Sequence, residues 1–279
     1  MRPLRLAATA LLLLVGLLRG AFAGQGQYVS PIERYRCAPP VVARVGEHFG
    51  LKAFFYPWSP RYGGEDEGGR IVAGVCSRWP GSDSRVVAAF AYDEGVKYEK
   101  LLLVAIVDVR QDRIIAAYRG TTDDEINGQR LTDDSLKVDL APYFLSPGNR
   151  AIGLRLNTNH DSCGHSGGLD DHLTLLVVDG KLLRPVLQTT MHYWRYAEGN
   201  RCEVEGVDRV DSQTFIAIEP TSVHGFADLK FTARRSDHAM PFTALIKFDG
   251  DHYDLTAWNA AFQEWWTAVP AGTAPPSGH

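Results

Sequence analysis

From Arg85 to Ala268, short apolar runs alternate with polar, turn-forming residues. The runs are rich in Val, Ile, Leu, Phe and Tyr, and runs of this length and composition are typical of β-strands rather than helices. We therefore predict an all-β domain over residues 85–268, built from antiparallel hairpins. The predicted strands are VVAAFAY, LLLVAIVDV, RIIAAYRG, SLKVDLAPY, AIGLRLN, HLTLLVVDG, KLLRPVL, TFIAIE, DLKFTAR, FTALIKFDG and HYDLTAW.

An aspartate followed by a tight turn and a further strand occurs three times along this domain. The three residues, Asp108, Asp179 and Asp249, lie about 70 residues apart. The last two precede glycine, and an Asp-Gly pair between apolar runs is the strongest short signal for a hairpin. The spacing predicts successive antiparallel meanders, arranged either as an irregular propeller or as two packed sheets.

One stretch near the C-terminus has the period of a helix instead. Residues 259–268 place Phe262, Trp265 and Trp266 on a common face that can be buried. Asn259 is a residue type that caps a helix, because its side chain accepts hydrogen bonds from the first turn. We predict one short C-terminal helix here.

Two further segments differ from the β-rich domain in composition. Residues 24–84 combine prolines and Gly-Gly pairs with many aromatic residues, too many for a disordered linker. We interpret this segment as an ordered, turn-rich arm. Residues 269–279 have the composition of a disordered tail.

The N-terminus has the tripartite pattern of a secretory signal peptide. Arg2 and Arg5 precede the apolar run LAATALLLLVGLL, and Ala21-Phe22-Ala23 follows. The run is shorter than the roughly 20 apolar residues that a membrane span needs. We predict cleavage after Ala23, so that residues 1–23 are removed and the mature chain is periplasmic or secreted, with no membrane anchor.

Cleavage also changes the charge of the chain. It removes three of the 29 basic residues and no acidic residue, so the 33 acids exceed the bases by about seven. Nucleic acids and anionic membrane surfaces attract basic patches, so an acidic chain argues against both as partners.

The chain contains four cysteines, Cys37, Cys76, Cys163 and Cys202. An even number in an oxidising compartment indicates disulfide bonds. Short loops cost less entropy to close, which favours Cys37–Cys76 and Cys163–Cys202 over the other two pairings. The sequence contains no C-x-x-C motif of the kind that binds zinc. It also predicts no cofactor.

The string Gly164-His165-Ser166-Gly167-Gly168 satisfies G-x-S-x-G, the nucleophile elbow of serine hydrolases. It also differs by one residue from the string around the nucleophile of trypsin-like proteases. An elbow follows a strand and precedes a helix, whereas this string follows polar residues and precedes an apolar run. Trypsin-like enzymes also need an upstream histidine, and residues 71–159 contain none. We interpret the glycines as turn formers in a hairpin loop.

The same loop concentrates imidazoles, carboxylates and hydroxyls. Its polar residues are His160, Asp161, Ser162, His165, Ser166, Asp170, Asp171 and His172. Such groups can bind a divalent metal or transfer protons, but their spacing matches no established metal motif. We assign no metal site, and we take all of these residues except the two serines as candidate binding residues.

Two functions remain open at this point. The sequence favours an exported, non-enzymatic binding protein, whose partner is a protein or a glycan held by exposed Trp and Tyr side chains. The alternative is a hydrolase with Ser166 as nucleophile and His165, His160 or Asp171 as its catalytic partners. A base within about 3 Å of the Ser166 hydroxyl distinguishes the two.

Overall fold

The computed structural model describes residues 37–51, 53–55, 69–96, 98–123, 129–160, 166–197 and 208–268. The predicted signal peptide, the C-terminal tail, Cys163 and Cys202 lie outside these residues. The described helices are α1 (Pro39–His48) and α2 (Thr256–Thr267). The strands are β1 (Arg70–Arg78), β2 (Arg85–Asp93), β3 (Glu99–Asp108), β4 (Arg113–Asp123), β5 (Gln129–Arg130), β6 (Leu136–Asp139), β7 (Phe144–Ser146), β8 (Asn149–Arg150), β9 (Ile152–Leu156), β10 (Asn159–His160), β11 (Gly167–Asp179), β12 (Leu182–Tyr196), β13 (Arg209–Val223), β14 (Phe226–Arg235) and β15 (His238–Ile246).

Most strands belong to one large sheet with the order β1-β2-β3-β4-β12-β11-β9-β6. Strand β6 lies against β1 and β2, so this sheet nearly closes into a barrel. The C-terminal end of β12, from His192 to Tyr196, also pairs with β13. Strand β13 pairs with β14, and β14 with β15, so these three strands extend the sheet beyond the barrel. The prediction of an all-β fold with antiparallel meanders and a short C-terminal helix is confirmed. Of the arrangements considered, the meanders adopt neither a propeller nor two separate sheets, but this curled sheet.

The first two predicted meanders are present as β2-β3-β4 and β9-β11-β12. The third ends differently, because after β15 the chain makes only an isolated bridge between Phe248 and Tyr253 and then enters α2. Asp254 accepts a hydrogen bond from the Thr256 N–H, which favours the start of a helix at this point. The helix therefore begins three residues earlier than predicted, and Asn259 lies inside it rather than at its cap.

The alternation of side chains along β2 explains why this strand is buried on both faces. Val87 and Ala89 belong to a core inside the barrel, to which all eight of its strands contribute. Ala88 and Phe90 belong to a second core on the outer face, where α1 packs. A third core lies between α2 and the sheet formed by β11 to β15.

The N-terminal arm contains regular structure that its composition did not predict. Pro39 and Pro40 suggested irregular chain, but they occupy the first positions of α1, where their missing N–H groups cost no hydrogen bond. Val41, Val42 and Val45 then form the buried face of the helix. Strand β1 also comes from the arm and pairs with β2 along its whole length.

A disulfide bond between Cys37 and Cys76 ties the start of α1 to β1, with 5.0 Å between the two Cα atoms. This half of the predicted pairing is confirmed. The pair Cys163–Cys202 falls on residues outside the described part of the chain and stays a prediction.

We expect replacement of both Cys37 and Cys76 by serine to lower the free energy of unfolding by about 4 kcal/mol, because the disulfide closes a loop of 39 residues in the unfolded chain. Urea unfolding of the oxidised protein measures this difference. A double variant that unfolds at the same urea concentration as the wild type would contradict the assignment of α1 and β1 as one cross-linked unit.

Candidate functional site

The residues from Gly167 to His172, expected in a loop, lie in strand β11. Gly167 pairs with Arg195 and Gly168 with Trp194 across the β11–β12 ladder. Neither glycine has a positive φ, so the interpretation of these two as turn formers is wrong, while Gly164 lies outside the described residues. The reason for a glycine at position 168 is steric, because a Cβ there would lie 2.6 Å from the indole nitrogen of the buried Trp194.

Ser166 is exposed just before this strand, and its carbonyl oxygen accepts a hydrogen bond from the Tyr196 N–H at 2.8 Å. Among the described residues, none forms a hydrogen bond with its hydroxyl group. His165 and Asp161 lie outside the described residues, and so does the side chain of His160. The role of Ser166 therefore stays a prediction.

Asp171 is engaged in an ion pair that links three strands. Arg155 of β9 contacts Asp171 at 2.6 Å and Asp139 of β6 at 2.8 Å. Burial alone would lower the pKa of Arg155, but its hydrogen bonds to both carboxylates outweigh burial and raise the pKa. Asp171 also has a positive φ of 56°, an uncommon conformation for a residue other than glycine. The geometry makes Asp171 an anchor of the sheet.

Asp139 is held in its charged form by the same network. Burial raises the pKa of a carboxyl group, but hydrogen bonds from the Ala141 N–H, from Arg155 and from Tyr143 outweigh that effect and lower the pKa of Asp139. The hydroxyl group of Tyr143 donates to Asp139 at 2.9 Å. Burial and the neighbouring carboxylate raise the pKa of Tyr143 to about 12.

Asp170 faces a histidine that the sequence did not single out. His192 of β12 lies directly across the ladder from Asp170, with 3.6 Å between Nδ1 and the carboxylate. Its Nε2 lies 2.8 Å from Asp211 of β13, which also binds Arg209. The hydrogen bond with Asp170 is the main cause that raises the pKa of His192, Asp211 adds to it, and burial opposes both.

A cleft of about 630 Å³ opens at the junction between β4 and β12. These parallel strands pair at Ala117 and Leu182, which is the one pair in their described ladder. Beyond it, Thr121 and Thr122 of β4 line the cleft. The remaining described lining comes from β3, β9, β11, β12, α2 and the segment after β9.

The polar groups among the described lining residues carry no permanent charge. Strand β12 contributes Gln188, Thr189 and Thr190, and helix α2 contributes Asn259 and Gln263. No Asp, Glu, Lys or Arg is among the described residues that line it. Hydroxyl and amide groups of this kind both donate and accept hydrogen bonds.

His172 is the one predicted candidate among the described lining residues. Its Nδ1 lies 3.0 Å from the hydroxyl oxygen of Thr190. The ring of Tyr193 packs on Phe262 of α2, with 4.7 Å between the ring centroids. These two contacts orient His172, Thr190 and Tyr193 in the cleft.

Thr158 lies in the segment after β9 and also lines the cleft. The residue is only 7% exposed, and its hydroxyl oxygen has no hydrogen-bond partner among the described residues. A buried polar group without a partner costs about 1–3 kcal/mol.

The tryptophans that the structure describes do not provide the exposed aromatic surface that the sequence suggested for glycan binding. Trp194, Trp258 and Trp266 are buried, and Trp79 and Trp265 are half-buried. In the described part of the chain, no three His, Cys, Asp or Glu side chains are grouped so that they could hold a metal ion.

Comparison of the chain with protein-family models, curated proteins and solved structures finds no match. The chemistry of the cleft must therefore be argued from its own residues.

We expect Gly168→Ala to lower the free energy of unfolding by about 1–3 kcal/mol, because the new methyl group overlaps the buried Trp194. Ser166→Ala is the matched control, and a change at this exposed position should alter stability by less than about 0.5 kcal/mol. Chemical denaturation of both variants measures the difference. The reverse order of sensitivity would contradict the packing described for this end of β11.

The contribution of His192 to stability should depend on pH. Because the folded protein raises the pKa of His192 above its usual value of about 6.5, the charged form stabilises the fold fully below that pH. This contribution should fall as pH rises through the raised pKa. Hence His192→Gln should be most destabilising near pH 5.5 and least near pH 8.5.

Urea unfolding of the wild type and of His192→Gln at the two pH values tests this dependence. His224→Asn is the control, because His224 lies in the exposed β13–β14 turn with a φ of 50°, which asparagine tolerates. The control variant should have the same free energy of unfolding as the wild type at both pH values. A His192→Gln effect that stays constant or grows with pH would contradict the paired, charged state of this histidine.

Proposed function

We propose that this protein is an exported, non-enzymatic binding protein that takes its ligand in the cleft between β4, β12 and α2. The observation that carries the proposal is the cleft itself, whose volume of about 630 Å³ lies within the range of small-molecule sites. Two of its polar groups, His172 and Thr190, orient each other through a hydrogen bond. Orientation before binding reduces the entropy that a ligand must overcome.

The arrangement of the reactive side chains supports binding over catalysis. A catalytic serine needs a base that takes its proton, and a third group that orients the base. Asp171 is committed to Arg155, and His172 to Thr190 in the cleft. The hydroxyl group of Ser166 has no hydrogen bond within the described residues. The alternative, a hydrolase with Ser166 as nucleophile, is therefore the weaker proposal.

Export rests on two independent features. Residues 1–23 have the charge and hydropathy pattern of a cleaved signal peptide. The Cys37–Cys76 disulfide is typical of proteins that fold in an oxidising compartment.

The proposal is tested on the protein that a cell produces from the full chain. N-terminal sequencing of the exported protein should begin at Gly24, and a product that retains Met1 in the cytoplasm would contradict export. The same protein is then treated with a fluorophosphonate, which labels an activated serine and spares an ordinary hydroxyl group. We expect no labelling. If the protein is labelled stoichiometrically and Ser166→Ala abolishes the labelling, the hydrolase is the correct function and the proposal of a binding protein is wrong.

A further inference from the structure

We infer that the cleft binds a neutral, polyhydroxylated ligand, namely a short uncharged oligosaccharide. This inference rests on the proposed function and names its ligand class. Three features of the described residues support it: the absence of charged side chains from the lining, the hydrogen-bonding groups that are present, and the restricted edge of β12.

Charge selects against ionic ligands. A charged group that leaves water without a counter-charge loses far more solvation energy than a neutral polar group does. The described lining offers no such counter-charge. The nearby ions of the sheet are already paired, as with Arg155 between Asp139 and Asp171. A phosphorylated, carboxylated or cationic ligand is therefore disfavoured. A neutral polar ligand only replaces its hydrogen bonds to water by hydrogen bonds to the cleft.

The hydrogen-bonding groups match hydroxyl groups of a ligand. A sugar hydroxyl both donates and accepts, and so do the threonine hydroxyls and the amides of Gln188 and Asn259. A ligand hydroxyl can therefore bind these groups either as a donor or as an acceptor.

Apolar groups complete the site in the way that a sugar ring requires. The half-buried ring of Tyr193 and the exposed side chain of Leu169 line the same cleft. The C–H faces of a sugar ring can be buried against such surfaces while its hydroxyl groups reach the polar lining. Tyr193 and Phe262 pack against each other, so their rings are held in place before a ligand arrives.

An extended peptide is the neutral polar ligand that competes with this inference. Peptides commonly bind by adding a strand to a free sheet edge. Along β12 this edge is restricted, because the Tyr253 N–H bonds the Val186 carbonyl at 2.8 Å and β13 pairs with β12 from His192 onward. Only a short stretch between these two points remains for pairing, so the side-chain groups favour a saccharide.

Isothermal titration calorimetry of the mature chain tests the inference. The neutral probes are the trimers of α-1,4-glucose, β-1,4-glucose, β-1,3-glucose, β-1,4-mannose and β-1,4-N-acetylglucosamine. The charged probes are trigalacturonate and the trimer of β-1,4-glucosamine, and the peptide probe is trialanine. We expect at least one neutral trimer to bind with a Kd below 10 mM, and the charged trimers and trialanine to bind at least tenfold more weakly.

Two substitutions assign this binding to the cleft. Gln188→Leu removes an exposed amide, and Thr190→Val removes a hydroxyl group while keeping the shape of the side chain. Each substitution should raise the Kd for the neutral trimer at least tenfold. Thr243→Val on the exposed face of β15 is the matched control and should bind like the wild type. Thermal unfolding establishes that the variants are folded, and Gln188→Leu alone suffices if Thr190→Val is not.

Each other outcome overturns a defined part of the argument. If no neutral trimer binds, or if both cleft variants bind it like the wild type, the inference is wrong. If a charged trimer or trialanine binds best and Gln188→Leu weakens it, the ligand class is wrong while the cleft remains a binding site. Failure of the proposed function is seen separately, as fluorophosphonate labelling of Ser166.

Discussion

The long β11–β12 hairpin is shared by two hydrophobic cores, and a bulge in its middle sets its register. Leu176 pairs with Pro185, but Leu175 pairs with Leu187, so Val186 is an extra residue in β12. Proline cannot donate a ladder hydrogen bond, which explains why the irregularity lies next to position 185. The carbonyl oxygen of Val186 accepts a hydrogen bond from the chain that leads into α2. The bulge therefore provides a hydrogen bond between a strand of the barrel and the segment that precedes α2.

The two faces of this hairpin explain how one sheet supports both parts of the molecule. Leu176 and Leu183 belong to the core of the barrel, while Leu175 and Leu187 belong to the core under α2. Strand β12 pairs with β13 from His192 to its C-terminal end, and it pairs with β4 only near its N-terminal end, at Leu182. The cleft lies beyond this contact with β4. The cleft is thus a consequence of a strand that pairs both within the barrel and with the β13–β15 part of the same sheet.

Helix α2 completes the cleft, and a buried arginine holds it in place. Arg235 of β14 donates hydrogen bonds to the carbonyl oxygens of Trp265, Trp266 and Ala268 at 2.7 to 3.0 Å. These carbonyls are at the end of the helix, where they have no partner within it and where the helix dipole attracts a positive charge. The position of Asn259 and Gln263 in the cleft therefore depends on a residue that contributes nothing to its lining.

Local patterns predicted what depends on local physics. The strands up to β15, the Asp179-Gly180 turn and the C-terminal helix follow from periodicity and turn chemistry, and the structure contains all three, whereas the strand predicted at HYDLTAW is replaced by the start of α2. The bulge could not be predicted, and without it Asp170 would face Met191 instead of His192. The cleft was also hidden, since its lining comes from strands and a helix that are distant in sequence.

The reactive residues that drew attention in the sequence have another use in the fold. Asp170 and Asp171 are bound to His192 and Arg155, and these pairs connect β11 to its neighbours on both sides. A charge that is committed to such a pair costs energy to release, because its partner would be left half-buried and uncompensated. Residues that contribute to sheet pairing in this way are poorly suited to change partners when a ligand binds. The threonines and amides of the cleft are free of that constraint, which is why ligand recognition is better sought among uncharged side chains than among the acids and histidines of the motif.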